Sequence, residues 1–411
     1  MKSLLGKSVA VLLGSMFFAL YLMMTTASAQ EINKVTLITQ VLPEGEKAVA
    51  LAVKYDSNID STTLSIDSFA VEANVGGKIA GRNIIKVYTN DAPAIAAQSK
   101  VGKYVILEMN PEDANAGTSD FNPATWLSSR LTLNYYVTQM HDIADRKGNT
   151  IAVSMKKIKN SAQITPIVDS FTKKTFTDST GSLNYRLFKP DTKMGKEYPL
   201  VIFLHGMGER GFDNSLQLTG YRGALVWATP ENQAKNPAFV VAPQCPPNTY
   251  WPADDVQQLV LKTIKDVIAK YPIDTNRIYI NGLSMGGFGS WKLIQNNPNL
   301  FAAAVIVCGA GDPNNVEPIK NMPIWLFHAA DDPIVKVSGV INDPRMQITA
   351  YGSRDMAAAL RAAGNTVIRY TEYEKGYVAP PLAPMGHFSW IPAYNNPEII
   401  DWMFSQTKAG R

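Results

Sequence analysis

The sequence predicts a β-sandwich followed by a larger α/β domain with a mostly parallel sheet. Three observations carry this expectation: short alternating apolar runs before about residue 165, continuously apolar runs separated by helical patterns after it, and a Gly-x-Ser-x-Gly turn between a strand and a helix. Strands with one face on a core alternate with period two, whereas strands buried on both faces between helices read as unbroken apolar runs. The change of pattern therefore marks a change of domain. The chain has 411 residues, which at roughly 150 residues per domain leaves room for two or three. The expected division is a leader over 1–29, a sandwich over 30–165 and an α/β domain over 166–411.

The leader is read from Lys2 and Lys7, the almost wholly apolar Val9 to Met24, and the small-x-small run Ala27-Ser28-Ala29. That is the pattern of a secretory signal peptide cleaved after Ala29. The apolar stretch is short against the ~20 residues that span a bilayer, so the expected product is exported, secreted or periplasmic, with no stable membrane insertion. The formal charge of +4 falls to +2 once Lys2 and Lys7 are removed. So small a balance gives no electrostatic basis for a nucleic-acid partner or an anionic membrane surface. With 46% hydrophobic and 18% charged residues the composition is that of a globular protein, and excludes a disordered, collagen-like or coiled-coil body.

In the first domain, alternating runs fall at Val35 to Thr39, Val49 to Tyr55, Phe69 to Ala73, Ile84 to Tyr88, Tyr104 to Met109, Leu131 to Thr138 and Ile151 to Met155. Seven short strands punctuated by turn residues point to an immunoglobulin-like sandwich. Asp56, Asn58, Asp60 and Asp67 have the spacing of calcium-loop ligands, but Ser61 stands where that loop needs glycine, so a polar inter-strand turn is expected.

The second domain opens with a hairpin, Phe171 to Phe176 and Leu183 to Phe188 around Asp178-Ser179-Thr180-Gly181. Apolar strands then follow at Leu200 to Leu204, Phe239 to Ala242, Ile278 to Ile280, Ala302 to Val307, Ile324 to Phe327 and Val367 to Tyr370. Val256, Leu259, Val260, Ile264, Val267 and Ile268 recur at helical spacing, with Asp254 or Asp255 as cap and Pro272 beyond the end. A further helix runs from Ser353 to Gly364.

The sharpest chemical signal is Gly282-Leu283-Ser284-Met285-Gly286, lying between the strand at Ile278 and a helix. A tight strand–turn–helix elbow lifts a serine above the sheet, and glycines flank it because a Cβ would collide with neighbouring backbone. A serine hydroxyl needs a base, and the base an orienting carboxylate. In folds with this elbow the chain order is nucleophile, acid, histidine. Of the four histidines, His141 lies in the sandwich, and His205 and His328 precede the acid loop, which leaves His387 as the base. Asp331 and Asp332 both sit on the loop leaving the strand Ile324 to Phe327 and are both candidates for the acid. One oxyanion donor is the Met285 amide. The second is the amide of Met207 or Gly206, in the turn after Leu204, where His205 is expected to be a structural hydrogen-bonding residue.

Taken together, His205-Gly206-Met207-Gly208-Glu209-Arg210-Gly211, the Gly-Leu-Ser-Met-Gly-Gly elbow, the His328 to Val335 loop and Gly386-His387-x-x-Trp390 resemble the phospholipase/carboxylesterase branch of the α/β-hydrolases. They are more closely similar to bacterial two-domain esterases with an N-terminal immunoglobulin-like domain. The resemblance implies a triad of Ser284, Asp332 and His387, with Met207 and Met285 as oxyanion donors. Within the pair of aspartates it favours Asp332, which precedes Pro333 and the apolar Ile334-Val335. Glu209 and Arg210 also match the family pattern, as an ion pair bracing the loop or as substrate contacts.

Added stretches at Lys336 to Tyr351 and Gly376 to Met385 adjoin the acid and the base, and are expected to wall the substrate pocket. Trp251 and Trp390 are candidate lining residues. In this fold the strands before Cys245 and Cys308 are separated by two others, roughly 14 Å at ~4.8 Å per strand, too far for a disulfide. The expected function is an exported serine carboxylic ester hydrolase acting on a small-molecule or polymer-linked ester, with no metal or organic cofactor. An oligopeptidase or polyester depolymerase on the same triad is the alternative within hydrolases, and a glycan- or protein-binding module is the alternative outside them.

Overall fold

The computed structural model describes residues 31–380 and 382–410. The leader and its cleavage site lie outside the described residues. No helix among the described residues is long and apolar enough to cross a membrane.

The N-terminal part is a sandwich. One sheet has the strand order Ala162–Ile164, Lys34–Leu42, Gly45–Lys54, Tyr104–Met109, Ile84–Asn90, and the other Ser154–Lys159, Leu133–Gln139, Phe69–Val75, Lys78–Arg82. Leu37, Leu51, Val53 and Leu107 of the first sheet meet Phe69, Val71, Tyr135 and Val137 of the second in one buried core. The alternate residues Ile38, Ala50, Ala52 and Ile106 are buried on the opposite face. The expected run at Ile151 to Met155 divides instead: Thr150–Ile151 pairs with Ile143–Ala144, and Ser154–Lys159 with Leu133–Gln139. In the turn with calcium-like spacing, Asp60 caps a 3-10 turn by accepting from the Thr62 amide at 3.0 Å, and Asp56 accepts from the Asn33 side chain.

One hairpin of this part, Ser119–Asn122 and Leu127–Arg130, projects from the sandwich. Its base is anchored by Glu46, which is buried. The Glu46 carboxylate accepts the hydroxyls of Thr39 at 2.7 Å, Thr118 at 2.7 Å and Thr165 at 3.1 Å, and pairs with Arg130.

The second part is the α/β-hydrolase fold. Eight strands run in the order Thr172–Asp178, Gly181–Phe188, Phe239–Pro243, Tyr198–Leu204, Ile273–Leu283, Ala303–Val307, Ile324–Ala329, Arg369–Tyr373. The first two are antiparallel to their neighbours, and from Phe239–Pro243 onward all pairings are parallel. Leu200, Ile202 and Leu204 pack with the helices Asp254–Lys270 and Met285–Asn296. Val201 and Phe203 face the other layer, with Trp390–Asn395 and Glu398–Phe404. This alternation in an unbroken apolar strand is the mark of a sheet covered on both sides. The helix at 254 starts with Ala253 at its cap rather than an aspartate; Asp254 reaches Lys292 at 2.6 Å instead. Cys245 and Cys308 are free and buried, beyond strands separated by two others.

Candidate active site

The elbow is built by close backbone approach. Ser284 caps the helix Met285–Asn296 with φ +51° and ψ −120°, a left-handed conformation that costs a side-chain-bearing residue about 1–3 kcal/mol. The surroundings enforce it: the Ser284 amide donates to the Val307 carbonyl at 2.9 Å. A Cβ on Gly282 would stand 2.4 Å from the Gly286 carbonyl, and one on Gly286 only 2.0 Å from the Leu204 carbonyl. With glycine at both positions the helix start presses directly onto the central strand, and Ser284 is raised above the sheet.

The structure brings together the three side chains named from the sequence. Ser284 Oγ lies 2.9 Å from His387 Nε2, and His387 Nδ1 lies 2.7 Å from Asp332 Oδ2. Asp332 is buried. Burial alone would raise its carboxyl, but hydrogen bonds from His328 and His387 and their charges outweigh that and hold it well below the usual carboxylate range. Its other oxygen accepts the amides of Ile334 at 2.8 Å and Val335 at 2.9 Å. An ionised Asp332 accepts the proton on His387 Nδ1, which leaves the Nε2 lone pair toward the serine.

The sequence alone assigns His328 no role in the site. Its Nε2 donates to Val335 O at 2.9 Å and to Asp332 Oδ2 at 3.1 Å, and its Nδ1 accepts from Ser353 Oγ at 2.9 Å. It thus braces the acid from below. Asp331 points elsewhere, accepting the Gly376 amide at 2.9 Å and so tying down the start of the proline-rich stretch.

His205 has the structural part expected of it. Its Nε2 accepts the Cys245 amide at 3.0 Å, which puts the proton on Nδ1, and that atom donates to the Gly206 carbonyl at 2.6 Å. Because the peptide is planar and trans, holding the Gly206 carbonyl turns the Met207 N–H of the same peptide the other way. Met285 is the first residue of its helix, so its amide is one of the donors without an intrahelical partner.

Of the two alternatives for Glu209 and Arg210, the ion pair does not form: Arg210 bonds only to backbone carbonyls among the described residues, while Glu209 borders the cavity beside Ser284. Burial pushes the Glu209 carboxyl up to about 7, offset in part by the backbone amides of Glu209 and Gly206 and by the Arg210 charge. A carboxyl raised on folding favours the native state at low pH, and that advantage is lost as pH climbs from the ordinary glutamate value of about 4.5 to about 7. Over that window this group is expected to cost about 3 kcal/mol of unfolding free energy. Denaturant titrations at several pH values should therefore show a flatter profile for Glu209→Gln than for wild type; equal slopes would contradict the assignment.

Ser284, His387 and Met207 open onto a cavity of about 390 Å³. Trp390 lines it, standing edge-on to the His387 ring at 5.3 Å. Trp251 does not. It is fully buried, and its indole donates to the His205 carbonyl at 2.9 Å, so the ring is committed to the core beneath the loop. The added stretches also differ from expectation, since among their described residues only Met385 reaches the cavity. Lys336 to Tyr351 instead forms a hairpin that buttresses the wall from behind, with Arg345 over the Trp126 ring at 4.9 Å. The wall itself comes from the sandwich, through Phe121, Trp126 and Ser128 of the projecting hairpin and Glu44 to Lys47 of the first strand turn. Among the described residues, the cluster able to ligate a metal is Cys308, Asp332 and His387, with ligand atoms within 4.8 Å of one another. An ion held there would engage the same His387 and Asp332 side chains that are hydrogen-bonded to each other.

A serine on a strained elbow, a histidine and a buried carboxylate in hydrogen-bonded sequence above a parallel sheet define a serine hydrolase of the α/β-hydrolase fold. Comparison with known proteins narrows the class. Residues 34–152 match the esterase Ig-like N-terminal domain, and residues 249–333 match the prolyl oligopeptidase family. The crystal structure of a thermostable esterase is 42% identical, covering 92% of this chain and 100% of that chain with a TM-score of 0.85. A ferulic acid esterase is 14% identical over 57% of this chain and 98% of its own, with a TM-score of 0.40. An S-formylglutathione hydrolase from Staphylococcus aureus is 13% identical over 57% and 95%, with a TM-score of 0.41. The last two are too distant to bear on this chain's chemistry. No curated protein matches the chain. The chain belongs to the family of esterases that carry an Ig-like N-terminal domain.

Proposed function

We propose that the protein is an exported serine carboxylic ester hydrolase that works through an acyl-enzyme on Ser284. The observation that carries this is the continuous path from Ser284 Oγ to His387 to Asp332, at 2.9 and 2.7 Å. Ser284 attacks the ester carbonyl while His387 Nε2 takes its proton. The Met207 and Met285 amides receive the negative charge that develops on the carbonyl oxygen. As the tetrahedral intermediate collapses, the C–O bond to the alcohol breaks and the alcohol leaves with the proton from His387. Water then attacks the acyl-enzyme, with His387 again as base, and the free acid departs. Asp332 holds the Nδ1–H tautomer throughout and stabilises the imidazolium formed in each half-reaction.

The cavity favours small esters over polypeptide chains. Its volume of about 390 Å³ lies at the lower end of ordinary small-ligand sites, and the sandwich hairpin closes one side of it. A panel of p-nitrophenyl esters of graded acyl length, run beside matched anilides, tests the reading. Turnover is expected for short acyl esters and to fall as the chain outgrows the cavity; faster cleavage of peptide anilides than of any ester would reject it. Export is supported by the leader pattern alone, and an intact mass showing a mature chain that begins at Gln30 is the outcome expected for it.

A further inference from the structure

We propose that Arg210 is a positioning residue for the reaction, locking the loop that presents the Met207 amide and fastening that loop to the hairpin of the N-terminal sandwich. The proposal rests on the serine esterase reading above, and assigns the sandwich a part in holding the oxyanion donor as well as in walling the cavity.

Three consecutive carbonyls of the loop are held from three directions. His205 holds that of Gly206; Arg210 Nε donates to Met207 O at 3.0 Å; and the amide of Ser128, on the sandwich hairpin, donates to Gly208 O at 2.7 Å. The same guanidinium donates through its terminal nitrogens to Pro247 O at 3.1 Å and Thr249 O at 3.4 Å, and to Thr125 O and Trp126 O at 3.5 and 3.4 Å. Thr125 and Trp126 form the tip of that hairpin. Arg210 is 4% exposed and its guanidinium stacks on the Tyr250 ring at 4.6 Å. A buried guanidinium whose partners are all backbone carbonyls fixes the path of the chain. A lysine has one ammonium and no fork, so it cannot hold the Met207 carbonyl and the hairpin together.

An oxyanion donor acts only if it is in place before charge develops, and complete loss of one costs about 10²–10³ in kcat. Loosening the loop is a partial loss. In the full chain, Arg210→Lys and Arg210→Gln are expected to lower kcat about 10- to 100-fold with KM for a short ester nearly unchanged. Fluorophosphonate labelling should still reach one equivalent. Affinity for a trifluoromethyl ketone, whose adduct places an oxyanion where the transition state does, should fall in parallel with kcat/KM. Tyr250→Leu removes the stacking face and leaves the carbonyls, so it should reproduce the pattern at smaller amplitude. A raised KM with kcat retained, an unchanged ketone affinity, or a loss of turnover matched by lost labelling would overturn the proposal. If the Arg210 variants do not fold, unchanged kcat and ketone affinity in Tyr250→Leu overturns it. Failure of the wild type to label would sink the serine esterase reading itself.

Discussion

Ser284→Ala is expected to lower kcat by about 10⁵-fold or more while leaving a folded protein. The size of the effect follows from how the site is wired. His387 and Asp332 remain bonded at 2.7 Å without the serine, yet the base then has no nucleophile to activate. What survives is the slow attack of water on an ester bound beside the Met207 and Met285 amides. Alanine tolerates φ +51° no better and no worse than serine, so the elbow strain is the same in both and the unfolding midpoint should move little. Steady-state kinetics with thermal unfolding on the same preparations checks both halves. A variant retaining a tenth of wild-type turnover would mean that Ser284 is not the nucleophile.

The second large effect is steric. A methyl group on Gly286 would lie 2.0 Å from the Leu204 carbonyl oxygen and 2.5 Å from its carbon. Both atoms belong to a central strand paired on each side, so neither can retreat as a flexible side chain could. The helix Met285–Asn296 must move instead, carrying Ser284 and the Met285 amide with it. Gly286→Ala is therefore expected to lower kcat/KM by about 10²-fold, the cost of misplacing a reacting group by ~1 Å. Overpacking should remove about 3 kcal/mol of stability at the same time. Kinetics and denaturant unfolding read the two losses; wild-type values for both would show that the strand and helix do not press together as described.

The site was legible in the sequence wherever chemistry dictates residue type at short spacing. Gly282-Leu283-Ser284-Met285-Gly286 permits little besides an elbow, and the chain order of a nucleophile, an acid and His387 follows from it. What escaped depends on contacts between distant segments. Ser119–Asn122 and Leu127–Arg130 are short, polar and mostly exposed, with no alternation to mark them as strands. They matter because they dock on the loop at Gly208. The family pattern leaves Glu209 and Arg210 equally open as an ion pair or as substrate contacts, whereas Arg210 finds its partners among carbonyls brought from Thr125, Trp126, Pro247 and Thr249. Trp251 is a candidate pocket residue from the sequence, although an aromatic residue near a strand end is more often core. Only the fold reveals that its indole N–H is already used by His205. His328 lies within a loop that carries the resemblance but has no role assigned from it, since the contact that orients its ring comes from Ser353, on a helix 25 residues further on.

The account stands on Ser284 being the activated nucleophile, and covalent labelling tests that most directly. Treated with a fluorophosphonate and digested, the wild-type protein should carry one adduct, on the peptide containing Ser284, with His387→Ala labelling far more slowly and Ser284→Ala not at all. An adduct on another residue, or labelling of the wild type no faster than of His387→Ala, would contradict it.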